Sequence, residues 1–180
     1  MNLRRRRQPG YFGFSLFELL VVIVIVSILV VIAISRLLAL QVDAERVVME
    51  STVGAMRSGL GIKVAESIVR QNVVGLPAYE GSNPMDFLAE VPGNYLGEME
   101  GTDPYGLEKG SWYFDKPARI LVYIVDNTGY FSGGMGDPPR ARFKVRLVYA
   151  DTNGNGIYDS GIDSIEGLRL AVLEPYKWVK

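Results

Sequence analysis

The sequence predicts an α+β fold: a long N-terminal helix, transmembrane in its first half and amphipathic in its second, packed on a small antiparallel β-sheet. Three observations predict it. Residues 19–34 are apolar except for Ser27. From Arg36 to Arg70 there is no Pro, and Val53, Met56, Leu60, Val64 and Ile68 recur at spacings of three and four, one face of a helix. Strand-like runs then follow at 112–114, 120–125, 141–150 and 168–173, separated by turn residues.

The elements follow in chain order. Residues 1–13 carry Arg4, Arg5, Arg6 and Arg7 and no acid, a basic leader. Residues 14–36 form the anchor: with Phe14, Leu16 and Phe17 ahead of Leu19 the apolar span reaches about 21 residues, and a bilayer core takes roughly 20 helical ones. Arginines upstream place the N-terminus in the cytoplasm and the rest of the chain outside. A cleaved secretory signal fits poorly, because Ile34-Ser35-Arg36-Leu37-Leu38 lacks the small residues of such a cleavage site. Beyond residue 40 there are fourteen basic and nineteen acidic residues, so the whole-chain charge of −1 combines a leader of +4 with a body of −5.

A carboxylate at the edge of an apolar span is costly, up to roughly 2.5–3.5 kcal/mol at a bilayer centre, and Glu18 sits there. Its surroundings read Gly13-Phe14-Ser15-Leu16-Phe17-Glu18-Leu19-Leu20. This resembles the type III signal of type IV prepilins and type II secretion pseudopilins, a short basic leader ending in Gly, then Phe-Thr-Leu-Ile-Glu and a hydrophobic run. The resemblance implies cleavage after Gly13 by a membrane prepilin peptidase, N-methylation of Phe14, and retention of Glu18 as the fifth mature residue. A new ammonium at Phe14 and a carboxylate one turn away can pair between neighbouring subunits of an apolar bundle. The plain alternative is an interfacial carboxylate favoured only by the helix dipole. Members of the family that build major filaments often carry Pro near the twenty-second mature position, where this chain has Ser35; an unbroken anchor helix or a minor-subunit role follows.

Residues 37–71 continue as an amphipathic helix outside the membrane. Gly54, Gly59 and Gly61 weaken it by up to roughly 1 kcal/mol each against Ala, unless they admit a close neighbour. A helix of about 55 residues is roughly 80 Å long and cannot be buried alone. Residues 72–180 form the head. Gly and Pro punctuate 72–111, which reads as a connecting loop with one short helical stretch at 84–90, and 128–139 reads as a second loop. The helix-on-sheet arrangement read from these signals is also the ladle shape that the pilin resemblance implies.

Two features of the head could carry chemistry. Asp151, Asn153, Asn155 and Asp159 stand at positions 1, 3, 5 and 9 of a stretch with Gly156 at 6, the spacing of a calcium loop. Position 12 is Ile162, with Asp163 beside it. A hairpin turn without metal explains the two Asn-Gly pairs equally well, so both readings stand. Some pseudopilins brace their C-terminal loops with calcium, and this chain has no Cys for a disulfide. Separately, Arg140, Arg142, Lys144 and Arg146 alternate with apolar residues, which puts all four on one strand face. That face suits an anionic partner such as DNA, or is a solvated surface balanced by nearby acids.

With no His and no Cys, a Ser-His-Asp triad, an imidazole or thiolate metal site and a Cys nucleophile are excluded. No convergent catalytic set is visible, so the chain reads as a non-enzyme that requires no cofactor. The expected function is a structural subunit of a type IV pilus or type II secretion pseudopilus. Its partners would be the prepilin peptidase, other pilin or pseudopilin subunits and an inner-membrane assembly platform. The alternative is a filament-tip binding module, for DNA uptake or ligand reception, on the same anchor.

Overall fold

The computed structural model describes residues 13–179. The elements run α1 (Leu16–Val69), β1 (Tyr95–Met99), β2 (Trp112–Asp115), β3 (Ile120–Ile124), β4 (Phe131–Gly133), β5 (Arg140–Ala150), β6 (Ser164–Val172) and β7 (Tyr176–Trp178). Short 3-10 turns lie at Val73–Tyr79, Pro84–Phe87, Pro104–Gly106 and Thr128–Tyr130. The chain divides at Gln41/Val42 into two compact units.

The first unit is helical from Leu16 onward. Its apolar side chains are exposed along the whole stretch, among them Ile23, Leu29 and Ile32. Among the described residues one helix is long and apolar enough to cross a membrane, and this is it. Its two hydroxyls bond back into the helix: Ser27 Oγ donates to the Ile23 carbonyl at 2.7 Å and Ser35 Oγ to the Val31 carbonyl at 3.0 Å. Neither is left unsatisfied in an apolar medium. Helix α1 passes through Ser35 without a break, as the missing Pro predicts.

The second unit is an α+β head. A five-stranded sheet has the order β1-β2-β3-β5-β6, and β4 and β7 form a separate two-stranded antiparallel ribbon. The helix residues Met49, Val53, Met56 and Leu60 are buried in one cluster with Trp112, Phe114, Leu121, Tyr123, Phe143, Val145 and Leu170. The stripe starts a turn earlier than periodicity suggests, at Met49, and its predicted last member Ile68 is exposed, with Ser67 buried in its place. Truncating Trp112 or Phe143, neither of which retains exposed surface, would cost about 3–5 kcal/mol.

Central strand β3 is buried on both faces, which explains why it reads as an unbroken apolar run rather than an alternating one. Ile120, Val122 and Ile124 look away from the main core and are covered by Met99 and Leu107 from the preceding segment. That segment departs from the expected loop. It contains β1, which joins β2 in parallel, Glu98 opposite Phe114, so the sheet is mixed; the remaining pairs are antiparallel. Strand β4 lies inside the expected 128–139 loop, and β7 follows the last expected strand. They are three residues each and owe their position to aromatic packing, Phe131 stacking on Tyr176 with centroids 5.5 Å apart and meeting Trp178 edge-on at 5.2 Å.

Of the helix glycines only Gly59 has a packing reason. A Cβ there would run into the Phe87 carbonyl, so the 3-10 turn Pro84–Phe87 lies directly on the helix backbone. Around Gly54 and Gly61 a Cβ would meet nothing.

Candidate processing and assembly site

Gly13, Phe14 and Ser15 precede α1 in irregular, exposed backbone. The helix is started by Ser15: its hydroxyl accepts from the Glu18 amide at 3.1 Å and its carbonyl accepts from the Leu19 amide at 3.1 Å. Ser15 is therefore the N-cap and Glu18 the third helical residue, the spacing of a capping box. This Ser-x-x-Glu spacing, not foreseen, gives Glu18 a local role beside any intermolecular one. Its carboxylate lies at the positive end of the helix dipole and is exposed, with no ion-pair partner among the described residues.

The Gly13–Phe14 peptide stays outside the helical hydrogen bonds, and Phe14 is 75% exposed. Among the described residues a Cβ at Gly13 would meet nothing. Fold and packing thus place no demand for glycine there. Arg4, Arg5, Arg6 and Arg7 lie outside the described residues.

Within the head, sequence reasoning missed Glu45. Its carboxylate accepts from Tyr123 Oη at 3.0 Å, the Asp126 amide at 2.7 Å, the Asn127 amide at 2.9 Å and Asn127 Nδ2 at 2.7 Å. One helical side chain thereby holds the end of β3 and the loop after it. Burial pushes the Tyr123 phenol far above the ordinary tyrosine range, and the Glu45 charge pushes it further. The missed signal was positional: Glu45 continues the Met49–Val53–Met56 stripe toward the N-terminus, where a carboxylate needs donors.

The basic strand divides into two pairs. Ala141, Phe143, Val145 and Leu147 are buried and the four cations alternate with them, as the period of two requires. Arg142 makes a two-pronged pair with Glu174, Nε to Oε2 at 2.9 Å and Nη2 to Oε1, which raises its already high pKa. Arg140 donates to the Pro138 carbonyl at 3.0 Å. Lys144 and Arg146 have no carboxylate within ion-pairing reach among the described residues. Arg169 on β6, not foreseen, stands directly opposite Arg146 in the ladder.

The 151–163 loop closes on its own hydrogen bonds. Asp151 accepts from the amides of Gly154 at 2.6 Å and Gly156 at 2.7 Å, and the Gly156 amide is the chief cause of its lowered pKa. Asn153 and Asn155 both donate Nδ2 to Asp159 Oδ2 at 2.7 Å. Asp163 accepts from the Thr152 and Asp159 amides, each at 2.8 Å. Both asparagines thus present donors, not oxygens, to Asp159, and no group of three or more acidic, His or Cys side chains among the described residues is disposed to hold a metal. The Asn153 and Asn155 oxygens in turn accept from the Asn155 amide at 3.1 Å and the Ile157 amide at 2.8 Å.

Residues 10–34 match the family described as the prokaryotic N-terminal methylation motif. That motif is a type IV pilin-like prepilin signal, and the match includes Gly13, Phe14, Glu18 and the apolar run to residue 34. No curated protein matches the chain, and no solved structure does. The signal and the one long apolar helix are compatible with an inner-membrane anchor.

Proposed function

We propose that this chain is a structural subunit of a type IV pilus or type II secretion pseudopilus, cut after Gly13 and N-methylated on Phe14 by a prepilin peptidase. The supporting observation is the Gly13–Phe14 peptide, exposed and non-helical, directly ahead of a capped helix whose first turn carries Glu18, all inside the matched methylation motif. Since nothing among the described residues crowds Gly13, the requirement for glycine belongs to the peptidase. After the cut, the Phe14 ammonium and the Glu18 carboxylate lie one turn apart, and each finds an opposite charge on a neighbouring subunit as apolar helices leave lipid for a bundle. The role is assembly by an inner-membrane protein with its head outside, and no cofactor is needed for it.

N-terminal mass spectrometry of the protein from cells holding a prepilin peptidase should give N-methylated Phe14 as the first residue. Gly13→Ala should abolish that species. An unprocessed wild-type chain in such cells would sink the proposal, as would normal processing of Gly13→Ala.

A further inference from the structure

The two edges of the head's main sheet carry opposite charge. One edge is β1, where Glu98 and, just past the strand, Glu100 are 45% and 72% exposed and share a single cation, Lys116, at 3.9 and 3.0 Å. Asp86 lies close enough to Glu98 that the carboxyl of Asp86 is pushed up, by burial first and by the Glu98 charge second. This edge is therefore acidic after its internal pairing is counted. The far edge is β6, paired inward with β5, and Glu166 on β6 is the one acid among the cations of these two strands. Arg146 and Arg169 are direct partners in that antiparallel ladder, and Lys144 stands two residues along β5 opposite Ala171. Like charges directly opposite each other destabilise a sheet. None of the three cations has a carboxylate within ion-pairing reach among the described residues.

We infer that the acidic β1 edge of one head docks on the Lys144–Arg146–Arg169 patch of the β5–β6 pair in a second copy of this chain. This rests on the assembly reading above. A two-fold contact using the basic edge on both sides would set cations against cations, whereas opposite charges on opposite edges fit a head-to-tail contact. Such a contact does not use up its own surfaces: each added copy presents a fresh edge, so the arrangement propagates as an open polymer. Charge complementarity fixes its register and rejects the wrong edge. The head's charge of −5 also makes another copy of the head an anionic partner for a basic edge.

The chain contains no Cys, so introduced cysteines report without background. In the full-length chain in membranes, Leu96→Cys on β1 and Ala171→Cys on β6 leave every charge in place. On mild oxidation the double variant should give a ladder of disulfide-linked trimers and larger species, and each single variant should give none. Lys144→Glu with Arg146→Glu in the double-cysteine background should reduce the ladder about tenfold, and adding Glu98→Lys with Glu100→Lys should restore it. Absence of products beyond dimer, strong dimers from Ala171→Cys alone, or a ladder indifferent to charge reversal would each overturn the inference. So would salt-sensitive retention on DNA that is lost on reversal of Lys144 and Arg146 while no ladder forms. Ile25→Cys in the same membranes reports helix association. Helix cross-links without a head ladder sink the head contact and leave the assembly reading standing; loss of both sinks both.

Discussion

Glu18 combines two effects whose sizes separate them. As the third residue of a capped helix it gains about 0.3–1 kcal/mol from the helix dipole, a local contribution that falls within the first turn. Pairing with an amine inside an apolar bundle is larger, and breaking it strands a charge at a cost of about 3–5 kcal/mol. Glu18→Ala should therefore be processed to the mature size yet be incorporated into filaments at least tenfold less than wild type, measured by shearing and quantitation. Normal incorporation would reduce Glu18 to its capping role. The helix glycines allow a second test. Gly54→Ala should raise the stability of the detergent-solubilised protein by up to about 1 kcal/mol, because open space surrounds it. Gly59→Ala should lower stability, since its Cβ meets the Phe87 carbonyl. Denaturant midpoints of the two variants should move in opposite directions.

Among the elements, α1 and the loop after β3 are joined by one carboxylate. Glu45→Ala leaves the buried Tyr123 hydroxyl and two backbone amides without their acceptor, and should cost about 2–3 kcal/mol. Amide exchange at Asp126 and Asn127 should accelerate in the same variant, which a general loss of stability would not confine to those sites. The 151–163 loop behaves differently. It is closed by its own donors, so adding calcium to the chelator-treated protein should leave its melting temperature unchanged; a rise of several degrees with calcium and not magnesium would show that Asp151, Asp159 and Asp163 are ligands after all. The elements that were legible in the chain share a cause. Helix α1 and strands β2, β3, β5 and β6 are long or apolar enough for local periodicity to express them. Strand β1, interrupted by Gly97, takes its conformation from its partner β2, and β4 and β7 are three-residue strands whose pairing is backed by the meeting of Phe131, Tyr176 and Trp178. Likewise, the motif around Gly13 is contiguous and was readable, whereas the Glu45 clamp and the Arg146–Arg169 pairing join residues far apart in sequence.

For the molecule as a whole, the head depends on buried phenols. Tyr113 and Tyr123 are each 3% exposed, and burial raises the pKa of both. The unfolded chain ionises them near pH 10 while the folded head keeps them neutral. Their contribution is therefore fully present below about pH 10 and is lost as pH climbs beyond it. Tyrosinate absorbance and circular dichroism should change together in an alkaline titration. Ionisation of all ten tyrosines at ordinary pKa values before any loss of structure would contradict this.

Glu45 also has a bearing on the order of events during synthesis. Its partners Tyr123 and Asn127 lie 78 and 82 residues downstream. The apolar stripe of Met49, Val53, Met56 and Leu60 likewise waits for Phe143, Val145 and Leu170. A ribosome adding roughly 5–20 residues per second finishes the anchor several seconds before the strands that cover this stripe exist. The growing chain thus passes through an interval in which a sticky helix has no sheet to close on, and contacts of such long sequence separation are slow to form once they can. With the N-terminal segment held in a membrane, as the proposed function has it, such nascent chains would be kept from meeting as they do in free solution.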